Sequence, residues 1–397
     1  MNLSDILGVR GRVYMLISFG ARNYMSFKEG FEVSMELNSF SSEMISAGKQ
    51  FSEAICIIGA NASGKTNVIR SLTYIADFCC NSFSSKPEDL LKAVSFGWTK
   101  DPSYFSVEFM LENLRYFYEA ELTADEVISE KLERKASRRV TLFFRKKNEF
   151  EYCVGELKEL QKIKLRKNVS VISTAHQYEF TSLESIYNFF SRIVSNIDPL
   201  FGDVKYNAQS RDIFAISKRY NESKDVLSYV RNKLARADTG INDIRIESLN
   251  NPTGEEMFIP IFKHSTKEGD VEIPYFFESN GTRALYLQLP LFKRVLDEGG
   301  VLLLDEFDND LHPDLHAWLI DFFLDPISNP KNAQIIFSSH NAAFMDKLSK
   351  YKVVVVNKEE NESFLYRLDE LPGTLVRNDR SIESLYKTGK IGGTPKL

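Results

Sequence analysis

Cysteine is scarce in this sequence. Its 397 residues hold four, Cys56, Cys79, Cys80 and Cys153, with no Cys-x-x-Cys ligand spacing, and the adjacent pair Cys79-Cys80 cannot easily bridge to itself. A disulfide-stapled secreted fold is thereby excluded, and reduced thiols in a cytosol are expected. Long hydrophobic runs are missing as well. Nothing approaches the roughly eighteen apolar residues of a membrane span, and Met1 to Arg12 lacks the apolar core of a signal peptide. No Pro/Gly/Ser-rich linker, internal repeat or low-complexity tract divides the chain. A net charge of −5 argues against a uniformly basic nucleic-acid binder. The expectation is a soluble cytoplasmic protein whose 43% hydrophobic content can build one large or two moderate domains.

What is present begins with alternation. Val13 to Leu37 reads as two antiparallel strands around a Lys28-Glu29-Gly30 turn, and Ser103 to Leu132 as a meander turning at Glu112-Asn113, followed by a strand at "RRVTLFFRKK". From Lys131 to Lys167 thirteen Lys/Arg stand against five Glu, either a solvated face or a surface for a phosphate backbone or an acidic partner. Between Thr181 and Ala237 the period becomes helical in "SLESIYNFFSRIV" and "KDVLSYVRNKLARA", where Tyr187, Phe189 and Phe190 share one apolar stripe and read as core. "DTGINDIRIESL" then turns back into strand, with Thr239-Gly240 as the helix stop.

The stretch "AICIIGANASGKTNVIRSL" carries the most specific signal. An apolar run, Ala54 to Ile58, suits a buried parallel strand, and Val68, Ile69, Leu72, Ile75 and Ala76 recur at helical spacing after it, to about Phe83. Between them lies the full pattern Gly-x-x-x-x-Gly-Lys-Thr. In such a loop Gly59, Asn61, Ser63, Gly64 and Asn67 frame a phosphate cradle, Lys65 reaches the β/γ-phosphates of ATP, and Thr66 ligates Mg²⁺.

A second motif completes the first. Val301 to Leu304 is a buried strand that delivers Asp305 and Glu306 at its C-terminal edge, where open α/β sheets bind ligands. Asp305 suits a Mg²⁺ ligand, and Glu306 a general base for the attacking water. Another apolar strand, "AQIIFSSH", ends at His340, a candidate donor to the γ-phosphate. Ser279, Asn280 and Gly281 precede an apolar helix; taken alone the serine reads first as an ordinary N-cap, and a serine hydroxyl, glycine amides and a helix N-terminus also form an anion site. His312 and His316 stand i, i+4, a spacing that can bind zinc, although no Glu occupies the base position of a His-Glu-x-x-His motif.

Phosphate loop, "SNGT" helix start, "VLLLDE" strand and "FSSH" strand, in that order, resemble the ABC-type ATPase heads of the SMC, Rad50 and RecF kind over nearly the whole chain from Val13. The resemblance implies an α/β P-loop core with an antiparallel β-lobe and an inserted helical lobe. Within one domain, the N-terminal strands and Walker A core would span 13–85, the β-lobe 86–170, the helical lobe 171–240, and the signature, Walker B and switch-histidine core 241–397. It also implies a Mg²⁺-dependent ATPase that closes as a head-to-tail homodimer or higher oligomer, with Lys65, Glu306 and His340 catalytic and Ser279 with Gly281 meeting the partner copy's nucleotide. Gln177 is the candidate third metal ligand, with Gln161 as rival. Ser-Asn-Gly-Thr departs from the usual Ser-Gly-Gly, and in the dimer-contact loop that the resemblance implies, "FDNDLHPDL", His312 takes the place of the usual aspartate. That variant and the tail "YKTGKIGGTPKL" look closest to the AbiLi-like and RloA-like ATPases of phage-defence and abortive-infection operons. A sensor controlling a separate toxic effector, with DNA or a phage product as trigger and no membrane partner, is the leading expectation. A RecF-like DNA-maintenance ATPase is the alternative. A nuclease of the OLD kind is disfavoured because little more than fifty residues follow His340.

Overall fold

The computed structural model describes residues 14–37, 48–197, 213–237, 239–250, 254–308, 311–377 and 380–394. Strands β1 (Tyr14–Arg22) and β2 (Phe31–Ser34) form the expected hairpin. β3 (Ala54–Gly59), buried at every residue, leads through the glycine loop into α1 (Lys65–Asn81). The meander follows as β4 (Ser103–Leu111), β5 (Leu114–Leu122), β6 (Val127–Lys135), β7 (Arg139–Lys146) and β8 (Glu149–Cys153). Its first turn falls on Glu112 and Asn113, with φ of 50° and 71°, the positive values that a two-residue hairpin loop requires.

β1 and β2 do not stay with the phosphate-loop core. β1 pairs with β4, giving one seven-stranded antiparallel sheet ordered β2-β1-β4-β5-β6-β7-β8. The boundary expected at residue 86 therefore runs between strands of a single sheet. Eight of the nine residues of β1 are buried, because one face of the strand packs on α1 and the other is covered by Phe51 and Met110.

The next elements are α2 (Val171–Gln177), α3 (Thr181–Ser191) and β9 (Ile193–Ser195). Here the expected helix "SLESIYNFFSRIV" ends early. Its last residues leave the helix and pair in parallel with the carboxylate strand, where β-branched Ile193 and Val194 suit an extended, half-covered edge. Phe189 and Phe190 are buried as expected, Phe189 stacked on Phe109 at 4.1 Å between centroids.

Helices α4 (Ile213–Glu222) and α5 (Lys224–Arg236) precede a three-stranded antiparallel sheet of β10 (Ile241–Asn250), β11 (Glu256–Thr266) and β12 (Gly269–Pro274). The chain closes with α6 (Asn280–Glu298), β13 (Val301–Leu304), α7 (Pro313–Leu324), β14 (Gln334–Ser339), α8 (Ala343–Leu348), β15 (Val353–Glu359), β16 (Glu362–Arg367) and α9 (Ile382–Lys387).

The central sheet is ordered β16-β15-β3-β14-β13-β9, parallel from β15 to β9 with β16 antiparallel at the edge. Parallel strands are joined by crossovers, so the C-terminal ends of β3, β13 and β14 reach the same edge. One face of this sheet is covered by α1, which is itself wedged against β1 and β4 of the lobe; the other is covered by α6, α7 and α8. That double packing explains why Val68, Ile69, Leu72 and Ile75 are all buried on α1. Each such side chain contributes about 1.5–3 kcal/mol on leaving water.

Gln334 joins the two sheets. Its side chain accepts the Leu16 N–H at 2.7 Å and donates to the Leu16 carbonyl at 3.0 Å, where a bulge interrupts the β1–β4 ladder. Among the described residues no helix is long and apolar enough to cross a membrane. The four thiols are free, and burial pushes those of Cys56 and Cys79 well up, which leaves them unreactive.

Candidate nucleotide site

The glycine loop is shaped by crowding as much as by flexibility. A Cβ on Gly59 would lie 2.3 Å from the Val356 carbonyl oxygen and 2.7 Å from Ser63 Oγ. Gly64 has φ of 114°, and a Cβ there would meet Ser363 Oγ at 2.7 Å and Ser26 Oγ at 2.8 Å. Both positions exclude a side chain, one by close approach and the other also by backbone conformation. No side chain caps α1 and its first turn holds no acidic residue, so the positive end of the helix dipole faces the loop uncompensated.

Lys65 is 7% exposed, and its Nζ donates to the carbonyls of Gly59 at 2.8 Å and Ala60 at 3.1 Å. Burial lowers its pKa, opposed by the charges of Asp305, Glu306 and Asp308. The negative charge of an anion entering the loop would offset that desolvation and favour the charged amine.

Facing the loop, Thr66 Oγ1 donates to Asp305 Oδ2 at 2.7 Å. The two sequence motifs, 239 residues apart, are thus joined by one hydrogen bond. Ser338 Oγ donates to the other Asp305 oxygen at 2.5 Å and accepts the Glu306 N–H at 2.8 Å. Asn196, directly after β9, brackets the Asp305 backbone: it accepts the Asp305 N–H at 2.8 Å and donates to the Asp305 carbonyl at 3.0 Å. Glu306 has φ of 50°, left-handed for a residue with a long side chain. The His340 N–H donates to Asp308 Oδ2 at 3.0 Å. Ser63, Lys65, Thr66, Glu306, His340 and Lys358 line one open cleft of about 640 Å³, within the range that holds small-molecule ligands.

Asn61, Gly64 and Asn67 share that cleft, whereas Gly59, packed against Val356 and Ser63, is not among the residues that line it. Ser279 and Gly281 are absent from its lining. They begin α6, where Ser279 Oγ accepts the Thr282 N–H at 3.1 Å, so the ordinary capping role holds within this chain. Gln177 lies far from the cleft. Ser173, one turn before it, donates to the Cys80 carbonyl at 3.1 Å and accepts the Phe83 N–H at 3.0 Å. That anchors α2 to the far end of α1, roughly 20 Å or more from Thr66 at 1.5 Å rise per residue. Gln177 is therefore not placed to ligate a metal held by Thr66 and Asp305. Gln161, exposed in a turn that follows β8, offers no replacement.

His312 and His316 have separate environments. His312 is exposed and accepts the Asp314 N–H as the cap of α7, whereas His316 is 1% exposed against Phe307 and Phe344. Burial lowers the His316 pKa, which keeps the ring neutral. Among the described residues no group of three His, Cys, Asp or Glu is arranged to hold a metal. The dimer-contact loop expected after Phe307 lies partly outside the described residues, at 309–310.

Ser338, Asn196 and Asp308 are the site residues that sequence reasoning missed. Ser338 was within reach, as one of two serines in "FSSH". Asn196 carries no local signal, since only the pairing of β9 with β13 brings it to Asp305.

A glycine loop closing on a helix N-terminus, opposite paired acids on a strand two places across a parallel sheet, defines a P-loop nucleotide-binding domain. The chain belongs to the family described as "AAA domain, putative AbiEii toxin, Type IV TA system", whose profile matches residues 54–346. It is similar to solved SMC heads. The SMC head domain from Thermotoga maritima is 15% identical, with 89% of this chain and 98% of that one covered and a TM-score of 0.41. The Smc head bound to the C-terminal winged-helix domain of ScpA is 14% identical, with 94% and 99% covered and a TM-score of 0.46. The Smc head with an extended coiled coil, bound to the C-terminal domain of ScpA derived from Pyrococcus furiosus, is 12% identical, with 90% and 98% covered and a TM-score of 0.44. No curated protein matches the chain.

Proposed function

We propose that this chain is an ATP-hydrolysing switch: ATP closes two copies head-to-tail, hydrolysis reopens them, and the cycle controls a separate effector in a bacterial defence system. The observation that carries the chemistry is the Thr66–Asp305 hydrogen bond inside a cleft that also presents Lys65, Glu306 and His340. The residues fit the implied groups. A hydroxyl beside a carboxylate is an all-oxygen donor set suited to Mg²⁺, and a cradle closed to Cβ atoms at Gly59 and Gly64 suits phosphate oxygens. Mg²⁺, when bound, supplies charge neutralisation on the phosphates. Lys65 exchanges its loop carbonyls for phosphate oxygens, Glu306 takes the proton of the attacking water, and His340 donates to the γ-phosphate. The family description supports the setting in toxin–antitoxin or defence biology. The finer likeness to AbiLi-like and RloA-like proteins belongs to this proposal, as does the separate effector.

Lys65→Ala is expected to weaken ATP binding at least tenfold, read by fluorescence titration with a labelled nucleotide. Unchanged affinity would remove Lys65 from phosphate binding. Shared sites are tested by mixing Lys65→Ala with Ser279→Arg. Partial recovery of Mg²⁺-dependent turnover is expected, because one intact composite site reforms in each mixed dimer. Two variants that each dimerise with wild type yet stay inactive together would sink the head-to-tail arrangement.

The DNA-maintenance alternative loses ground at the basic segment. Lys131, Arg134, Arg139, Arg145, Lys147 and Lys162 all pair with glutamates, and Arg145 is wholly buried. A paired cation releases fewer counterions on meeting a phosphate backbone, which lowers the share of this segment's charge open to DNA; salt-dependent, sequence-independent DNA binding by the full chain would restore the alternative.

A further inference from the structure

We propose that Ser338 is the positioning residue of the catalytic carboxylate, an inference that rests on the ATP-hydrolysis reading above. From the neighbouring strand, its one hydroxyl sets the orientation of Asp305 and the backbone of Glu306 together. Ser338 is fully buried, one residue before the end of β14. Its Oγ–H donates to Asp305 Oδ1 at 2.5 Å, its Oγ accepts the Glu306 N–H at 2.8 Å, and its carbonyl accepts the Phe307 N–H at 3.0 Å. Residues 305–307 are thus tied to a single residue of the adjacent strand. That strand is itself held between β3 and β13, with Ser338 in register with Ile57, so the anchor cannot drift.

The consequence bears on Glu306. A left-handed φ on such a residue is strained and persists only where its surroundings over-determine it. The bond from the Glu306 N–H to Ser338 Oγ is one such determinant. The hydroxyl has a single proton, and a charge-assisted bond commits it to Asp305, which leaves its lone pairs facing the Glu306 N–H. Thr66 holds the other Asp305 oxygen, so two hydroxyls, one from the loop and one from the sheet, orient that carboxylate. Without Ser338 the Glu306 backbone is free to relax and carry its carboxylate off the line of attack. Ser338 does not line the cleft and acts only through these two acids.

The test uses the full chain with Ser338→Ala and Ser338→Cys, measuring Mg²⁺-ATP turnover, nucleotide affinity and thermal unfolding. Ser338→Ala is expected to lower kcat by about 100-fold, the scale of a 1 Å misplacement, with KM and nucleotide affinity within about threefold of wild type. Ser338→Cys keeps the size and a weak donor, and should recover part of the loss. In a Glu306→Gln background, the fractional loss caused by Ser338→Ala in the single-turnover rate should be clearly smaller, because the part that runs through Glu306 is already gone and only the part that runs through Asp305 remains. A folded Ser338→Ala chain with wild-type kcat, or the same fractional loss in both backgrounds, would overturn the proposal. If the alanine variant does not fold, Ser338→Cys carries the same comparison. A wild-type chain that hydrolyses nothing would instead overturn the ATPase reading itself, which is a different result from an active wild type indifferent to Ser338.

Discussion

Glu306→Gln is expected to bind ATP with near wild-type affinity while losing about 10²–10⁴-fold in turnover, the usual contribution of a positioned general base. Glutamine keeps the size of the side chain and the bond from its backbone N–H to Ser338, which lies at 2.8 Å in the native chain. What it loses is the capacity to take a proton. Because Lys65, Thr66 and Asp305 are untouched, binding should survive, and the closed dimer should accumulate when ATP and Mg²⁺ are supplied. Rapid-quench turnover and size-exclusion chromatography with ATP read the two halves separately. Wild-type turnover in this variant would assign the base to another group, and His340, in the same cleft, would be examined next.

The second large effect is on stability. Glu130→Ala is expected to cost about 3–5 kcal/mol, the scale of breaking a buried ion pair by removing one partner. Glu130 and Arg145 are both wholly buried in the lobe, 3.4 Å apart. Glu130 also accepts from Tyr118 Oη at 3.0 Å, Ser170 Oγ at 2.6 Å and the Val171 N–H at 2.9 Å, while Arg145 donates to the carbonyls of Lys147, Arg166 and Val169. Together the two side chains pin the segment entering α2 to strands β6 and β7. Removing the carboxylate strands a guanidinium charge and three donors away from water. That is a large part of the roughly 5–15 kcal/mol by which a domain is stable. Urea denaturation reads the loss. Replacing both partners, as Glu130→Met with Arg145→Met, should cost far less than the single changes summed, since no charge is left behind. An unchanged midpoint for Glu130→Ala would mean that water or other groups reach this pair when the lobe opens.

The reading of "RRVTLFFRKK" shows how sequence and structure divide the work. Its alternation marked a strand correctly, because the period of two is a local property of an extended chain. Its charges, counted as a patch, were a different matter. Arg145 proved to be the centre of a buried network, which no count along the chain could reveal, since its partner Glu130 comes from the adjacent strand. The helix expected through Val194 failed for a related reason. An apolar run of that length suits helix or strand, and the edge of the parallel sheet decided it.

By itself, the sequence determined the nucleotide cradle: strand, glycine loop, Lys65-Thr66 and helix are contiguous, and the backbone of so short a span can only take a few shapes once its glycines and its flanking periods are given. It determined likewise that Asp305 and Glu306 end a buried strand and that Ser279 starts a helix. Only the tertiary structure decided that β1 and β2 belong to the lobe's sheet, that Gln177 stands at the wrong end of α1, and that Asn196 and Ser338 hold Asp305 in place. These are pairings between segments tens to hundreds of residues apart. Strand ladders and buried hydrogen bonds form wherever register and burial satisfy both partners at once, and a single segment carries the chemistry of its own half alone.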